Sequence, residues 1–524
     1  MRPPRERAKL LTLILFAALA TGFGLRLAPI LGEDNHILQH FPSEDGYLML
    51  TIARNIAIGN GMSVSGGVIP TNGTQPLTTF EWALCFWMSD GDKVLGVRYT
   101  LYLQLATSVL TALLMYLLGR RLLSNRPHGK TVAAVATSLW YASPLSIPHS
   151  MNCLESGNYA AVTLAVFLLF APAATPGAAR WGWAKTVGAG VLLGTAFLIR
   201  NDAVFLIAAA CITFLTLCGE RGLPGMRTRL ARTLVMGTTS IAIASPWLVY
   251  NYSQFGSIMP ISGQAESIEA AFGSNMGIVA SILAEYVAVF APCPAALHGH
   301  LVTELVCLAG LITFGVALRR SSKEGAHEER AAALMTAIFG LSLVAFYGFF
   351  FGSPYFVTRY FFPLSPLLAL FTVSEIFSLH ARCLSSGGWR APALRLGLPV
   401  AAAAVVVGTN IRQHRQMQRH MHFQCVEWVA ENVGEETWIG AVQTGTIGFF
   451  HDRTINLDGK VNPYALEHRK ARTVPNYVAD SEITYIVDWV RVGRSLIKQP
   501  PLNTTFDIIV EDESENLSVL RRKS

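Results

Sequence analysis

Residues Val187–Leu217 read VGAGVLLGTAFLI, then RND, then AVFLIAAACITFLTL, so two uncharged apolar runs are joined only by Arg200, Asn201 and Asp202. With uncharged neighbours, such runs approach the roughly 20 residues that a membrane-spanning helix needs. A three-residue connection leaves no room for an aqueous domain, so the chain must cross, turn and return. Leu10–Ala20, Val132–Ala142, Ala160–Ala171 and Val400–Val407 are likewise free of charge. Over the full 524 residues, 52% are hydrophobic and only 14% charged. Soluble domains carry about 25% charged residues, so lipid must cover much of this surface. The expected fold class is mainly α: a polytopic transmembrane helical bundle.

Spans are expected near 10–30, 94–118, 131–150, 156–172, 185–200, 203–218, 233–250, 300–318, 331–351, 362–379 and 395–410, about 11 in all. Basic residues cluster in short connections: the N-terminal arm, Arg120–Lys130, Arg180–Lys185, Glu220–Arg232, Arg319–Arg330 and Arg382–Arg395. The positive-inside rule puts these on the cytoplasmic side, and it also accounts for the net charge of +7 without nucleic acid. The opposite side receives 31–93, the turns near 151–155 and 200–202, 251–299, 352–361 and the C-terminal tail. Counting 276–294 as a span would put Arg319 and Arg320 outside, so it reads as a surface or re-entrant helix. The short run 77–89 gets the same reading. Arg2, Arg5, Arg7 and Lys9 precede the first apolar run, but no small-residue cleavage site follows, so a retained first helix is expected.

Two domains follow from this division. Residues 1–410 form the membrane domain with its outer loop 31–93. Residues 411–524 turn polar and carry strand-like runs at Trp438–Val442, Thr454–Leu457, Ile483–Val487 and Phe506–Val510 after an amphipathic stretch at His414–Asn432, which predicts a small α/β domain on the outer face. The eight cysteines show no metal spacing and mostly lie in apolar runs, where cysteine acts as a small hydrophobe. His36 and His40 are too isolated for a zinc site, and His149 reads as packing. The basic run with His414, His420 and His422 reads as a membrane-adjacent helix. There is no GxxxxGK[ST], HExxH or GxSxG sequence, which removes support for ATP-driven transport, zinc proteolysis and α/β-hydrolase chemistry.

The richest outer segment is Ser43–Leu77, SEDGYLMLTIARNIAIGNGMSVSGGVIPTNGTQPL. Glu44 and Asp45 open a helix over Tyr47–Ile58, and glycine turns follow at Gly59–Gly61 and Gly66–Gly67. A carboxylate held in a cleft at a membrane edge suits a general base. Equally, Glu44 and Asp45 could simply cap the helix that follows. Elsewhere, Glu155, Arg200, Asp202 and Arg359 all fall at expected outer helix ends. Arginine offers a planar fork for phosphate oxygens; snorkelling or an Arg–Asp lock is the structural alternative.

This segment resembles the first outer loop of the GT-C superfamily of integral membrane glycosyltransferases, polyprenyl-phosphate-sugar-dependent enzymes of the protein mannosyltransferase, aminoarabinose transferase and arabinofuranosyltransferase type. The match runs Glu44-Asp45-Gly46-Tyr47, Ala53-Arg54-Asn55-Ile56-Ala57, Gly59, Gly61, and Thr71-Asn72-Gly73 with Pro76-Leu77. It implies Asp45 as the catalytic carboxylate, with Glu44 where relatives often carry a second Asp. Thinner likeness continues at Asn152–Gly157, Arg200–Asp202, Pro246–Pro260, Arg359–Phe361 with Pro363, and Asn456–Gly459. The resemblance implies donor phosphate and lipid-carrier binding by Arg359, Arg200 and Tyr360. Substrate contacts are expected from Arg54, Asn55, Asn72, Gln75, Glu155, Asp202 and Asp458. The expected partners are a polyprenyl-phosphate-sugar donor, a glycan, lipid or protein acceptor, and membrane lipids; no nucleic acid is expected. A divalent metal ion is the one cofactor left open, without an identifiable ligand set. The expected location is a bacterial inner membrane, N-terminus inside and C-terminal domain outside. A multi-pass transporter or flippase for lipid-linked sugars is the rival from another class, and a non-catalytic scaffold is a second.

Overall fold

A computed structural model describes residues 4–174, 181–218, 223–287, 301–385 and 422–523, with the single positions 404 and 408. The chain is a mainly α helical bundle with a large loop after the first helix and a small C-terminal α/β region. Among the described residues, six helices are long and apolar enough to cross a membrane: Lys9–Ile30, Lys93–Leu122, Ser156–Ala174, Leu223–Phe255, His327–Phe349 and Pro354–His380. Trp183–Ile199 and Ala203–Leu217 are shorter apolar helices joined through Arg200–Asp202, as the opening sequence requires.

Close packing of small residues holds the bundle. Added methyl groups at Gly190 and Gly194 would lie 2.5 Å from Thr239 Cβ and 2.6 Å from Ile243 Cβ. The helices Trp183–Ile199 and Leu223–Phe255 therefore approach backbone to backbone, the favoured arrangement where lipid offers no hydrophobic drive between helices. The run expected as one span over 131–150 breaks instead. Gly129–Ala142 ends at Ser143, which takes φ −65°, ψ 137°, and a short helix Ser146–Met151 follows. Pro144 disfavours helical backbone in the residue before it. The helix expected over 276–294 is seen as Met276–Val287; its remainder, the span 395–410, the boundary at 410/411 and the basic run through His414 and His420 lie outside the described residues.

The C-terminal region forms a five-stranded sheet ordered Thr454–Asn456, Ile439–Ala441, Tyr485–Asp488, Leu517–Arg522, Phe506–Asp512. The first three strands are parallel and the last two antiparallel. Leu517–Arg522 and the loop's own two-residue hairpin, Ser63–Val64 with Ile69–Pro70, were not expected from sequence. This region does not stand apart. Tyr47, Met49 and Leu50 share one apolar cluster with Phe423 and Phe449, and Ile52, Val64 and Ile69 share another with Ile455, Leu457 and Val461.

Candidate active site

Helix Glu44–Ala57 begins three residues earlier than the sequence suggests, and its cap is Ser43, whose Oγ accepts from Gly46 N at 3.1 Å. Glu44 and Asp45 are thus freed from capping and point to different neighbours. Glu44 accepts from Gly445 N at 2.5 Å, Thr446 N at 2.9 Å and Thr446 Oγ1 at 2.5 Å. It occupies the N-terminus of helix Gly445–Phe450, where backbone N–H groups lack partners. A Cβ on Gly445 would fall 1.8 Å from Glu44 O, so only glycine permits this approach.

Asp45 faces a cavity of about 400 Å³. Its Oδ2 accepts from Arg359 Nη1 at 2.5 Å across 314 residues of sequence, and its Oδ1 lies 3.8 Å from Lys460 Nζ. Glu155, Arg200, Asp202, Glu266, Gln75 and Tyr360 line the same cavity. Its other walls are apolar, including Phe197, Phe205, Leu248, Met259, Phe346 and Phe351. The lining thus offers both charged groups and apolar surface.

Arg200 stands behind this front. It is 1% exposed and lies between the Tyr159 and Tyr360 rings, 4.9 and 4.8 Å from their centroids. It pairs with Asp202 and donates to the carbonyls of Arg359 (3.3 Å) and Tyr360 (3.2 Å). Tyr347 OH bonds Asp202 at 2.7 Å and its ring stacks on Tyr360 at 4.4 Å. Arg200 thereby fixes the turn that presents Arg359, and Glu155 is 3.9 Å from its Nε. Tyr360 OH accepts from Arg359 Nη2 at 3.2 Å, and Arg359 Nε has no hydrogen-bond partner among the described residues.

The remaining expected residues divide. Gln75 reaches the cavity with an Oε1 that has no partner among the described residues. Asn72 is fully buried, donates to Asn251 Oδ1 at 3.0 Å and accepts from Ile261 N at 3.1 Å, so it ties down the 258–267 segment that walls the cavity. Arg54 points away, to Gly91 O and Asp452, and Asn55 holds the turn at Ser63 O. Asp458 stabilises its own turn by accepting from Lys460 N at 2.9 Å. Among the described residues, no group of three or more His, Cys, Asp or Glu is placed to hold a metal ion.

Sequence reading missed Lys460 and Glu266, whose nitrogen and oxygen are 3.0 Å apart. Lys460 sits one residue beyond the recognised Asn456–Gly459 stretch, and Glu266 lies in a segment with no recognised motif. The two adjacent acids are pushed apart electrostatically. Burial would raise the Asp45 carboxyl, but Lys460 and Arg359 outweigh it and hold the group below its ordinary value. Burial dominates at Glu44 and raises it, despite the bonds from Thr446 and Gly445. The Asp45 carboxyl therefore holds its proton less tightly than that of Glu44.

Residues 409–517 match a family model described as a domain of unknown function, DUF8728. No curated protein matches the chain. Among solved structures, ArnT from Cupriavidus metallidurans bound to undecaprenyl phosphate is similar over 98% of both chains, with a TM-score of 0.55 at 12% identity. The same protein in the apo state gives 0.57 at 14%, again over 98% of both chains. The oligosaccharyltransferase AglB from Archaeoglobus fulgidus, in complex with an inhibitory peptide and a dolichol-phosphate, is similar over 92% of this chain and 70% of its own, with a TM-score of 0.56 at 13% identity. The chain has the fold of these proteins, the fold that the GT-C resemblance of its first outer loop implies.

Proposed function

We propose that this protein is an inverting glycosyltransferase that moves a sugar from a polyprenyl-phosphate carrier to a glycan, lipid or protein acceptor at the non-cytoplasmic face of a bacterial inner membrane. The observation that carries this reading is the contact of Asp45 with Arg359 in a cavity lined by both charged and apolar side chains. A lipid-phosphate sugar has the same division of character. The likeness of fold to ArnT bound to undecaprenyl phosphate and to AglB with dolichol-phosphate supports the choice of donor. The positive-inside pattern supports the orientation.

In the reaction, the acceptor hydroxyl gives its proton to Asp45. Its oxygen forms a bond to the anomeric carbon on the face opposite the phosphate. The carbon–oxygen bond to phosphate breaks, and its electron pair leaves with the lipid phosphate. Arg359 receives the charge on that leaving group, held in place by Arg200 and Tyr360. Gln75 and Glu155 are placed to meet hydroxyl groups of the sugar or acceptor. Glu44 serves as the docking point of the C-terminal region, and Asp45 as the base.

The test is Asp45→Asn in purified, lipid-reconstituted protein supplied with polyprenyl-phosphate sugars. Loss of a well-placed general base costs roughly 10²–10⁴-fold, so transfer should fall by at least about 10²-fold with the melting temperature retained. Wild-type transfer by a folded Asp45→Asn protein would exclude the base assignment. Donor movement across the bilayer without a glycoside product would favour transport.

A further inference from the structure

We propose that Lys460, carried by the C-terminal region, is a second phosphate-binding cation, and that the donor activates Asp45 by drawing both Lys460 and Arg359 away from it. This rests on the glycosyltransferase reading above and extends it to a residue outside the membrane bundle.

The placement of Lys460 is built rather than incidental. Its side chain is 17% exposed and lines the cavity beside Asp45. Its backbone follows Gly459, at φ +77°, and its N–H is held by Asp458 Oδ1. On the other side, a Cβ at Gly73 would lie 2.0 Å from Lys460 O, so the first outer loop and the turn of residues 458–460 are locked backbone to backbone. The ammonium lies 3.0 Å from Glu266 Oε1, 3.8 Å from both Asp45 Oδ1 and Asp458 Oδ2, and 4.3 Å from the Phe356 ring centroid. An ammonium has three donors, and among the described residues only the Glu266 contact is at hydrogen-bond distance.

The charges make the exchange necessary. Arg200 commits four of its five N–H donors to Asp202 and two carbonyls. The cations left to meet an incoming phosphate are Arg359 and Lys460, and in the resting site both face Asp45. A carboxylate held by two cations is a weak base. A phosphate diester entering between them competes for the same N–H groups and adds a negative charge nearby. Both effects raise the proton affinity of Asp45, so the base strengthens only once the donor is in place. The other charged or titratable groups facing Asp45 are Glu44 beside it, His422 from the C-terminal region and Glu266 from the 261–267 helix. Burial drives the His422 imidazole down to about 4, so it stays neutral across the useful pH range.

The experiment is the pH dependence of transfer by wild-type, Lys460→Met and Lys460→Arg proteins. The acid limb of kcat/KM reports the free enzyme, and that of kcat the donor complex. In wild type the kcat limb should lie above the kcat/KM limb. In Lys460→Met the kcat/KM limb should rise by about one pH unit, the low end of what one adjacent cation does to a carboxylate. The donor KM should rise about tenfold, as for loss of one charge-assisted contact. Lys460→Arg should restore both. Should Lys460→Met fail to fold because Glu266 loses its partner, Lys460→Met with Glu266→Gln carries the same test. A folded variant with the wild-type limb and donor KM overturns the proposal. Absence of transfer by the wild type with any lipid-phosphate sugar overturns the reading beneath it instead.

Discussion

Replacing Glu44 with alanine separates docking from chemistry. The side chain is 15% exposed and accepts three hydrogen bonds, from Gly445 N, Thr446 N and Thr446 Oγ1. Hydrogen bonds to a charged group contribute roughly 1.5–3 kcal/mol each, a gross total of roughly 4–9 kcal/mol. Burial of the carboxylate opposes them, as its raised pKa records. A net loss of about 3 kcal/mol is expected, comparable to truncating one partner of a buried charge-assisted pair. The two apolar clusters shared with residues 47–69 should keep the region attached, so the loss appears as local opening. An opening equilibrium shifted by 3 kcal/mol changes by roughly 10²-fold. Hydrogen exchange followed by mass spectrometry, on protein in lipid nanodiscs, should therefore show peptides covering Gly445 and Thr446 exchanging about 10²-fold faster. Transfer should fall as Lys460 loses its fixed position, and Glu44→Gln should give an intermediate result because one acceptor oxygen remains. Unchanged exchange in a folded Glu44→Ala protein that has nonetheless lost transfer would refute this reasoning and return Glu44 to the chemical step.

Two further outcomes are expected. Arg200→Lys loses the planar fork that holds the Arg359 and Tyr360 carbonyls; donor KM should rise roughly tenfold and the acid limb of kcat/KM should rise as Arg359 loosens from Asp45, whereas a folded variant with the wild-type donor KM and acid limb would contradict the positioning role. Glu81, whose carboxylate accepts from Asn158 Nδ2, is raised by burial to about 7. Its folded pKa lies above the unfolded value of about 4.3, so the stability it contributes is complete below that pH and is lost as pH rises toward 7. Glu81→Gln should accordingly match wild type near pH 4.5 and melt higher at pH 8, by on the order of 1–2 kcal/mol after allowance for solvent screening. Equal melting at pH 8 would count against this.

The local rules of the chain were written along it. Uncharged runs of spanning length must become helices, because lipid cannot satisfy an exposed backbone, and the brevity of Arg200–Asp202 forces the chain to double back between two helices. The order Glu44-Asp45-Gly46-Tyr47 to Thr71-Asn72-Gly73 marked the loop from which Asp45 faces the cavity. What the linear order could not express is partnership at a distance. Asp45 meets Arg359 across 314 residues and Glu44 meets Gly445 across 401, and no periodicity encodes either encounter. The two adjacent acids looked alike in sequence; only their different surroundings raised one and lowered the other. Lys460 carried no signal because a lone lysine after a glycine turn reads as surface. Its role in the cavity arises from close backbone contact at Gly73, a steric fact of the folded chain. Sequence alone determined that the chain lives in a membrane and which loop to watch; tertiary packing decided which charges share one low-dielectric space, and electrostatic strength depends on that proximity.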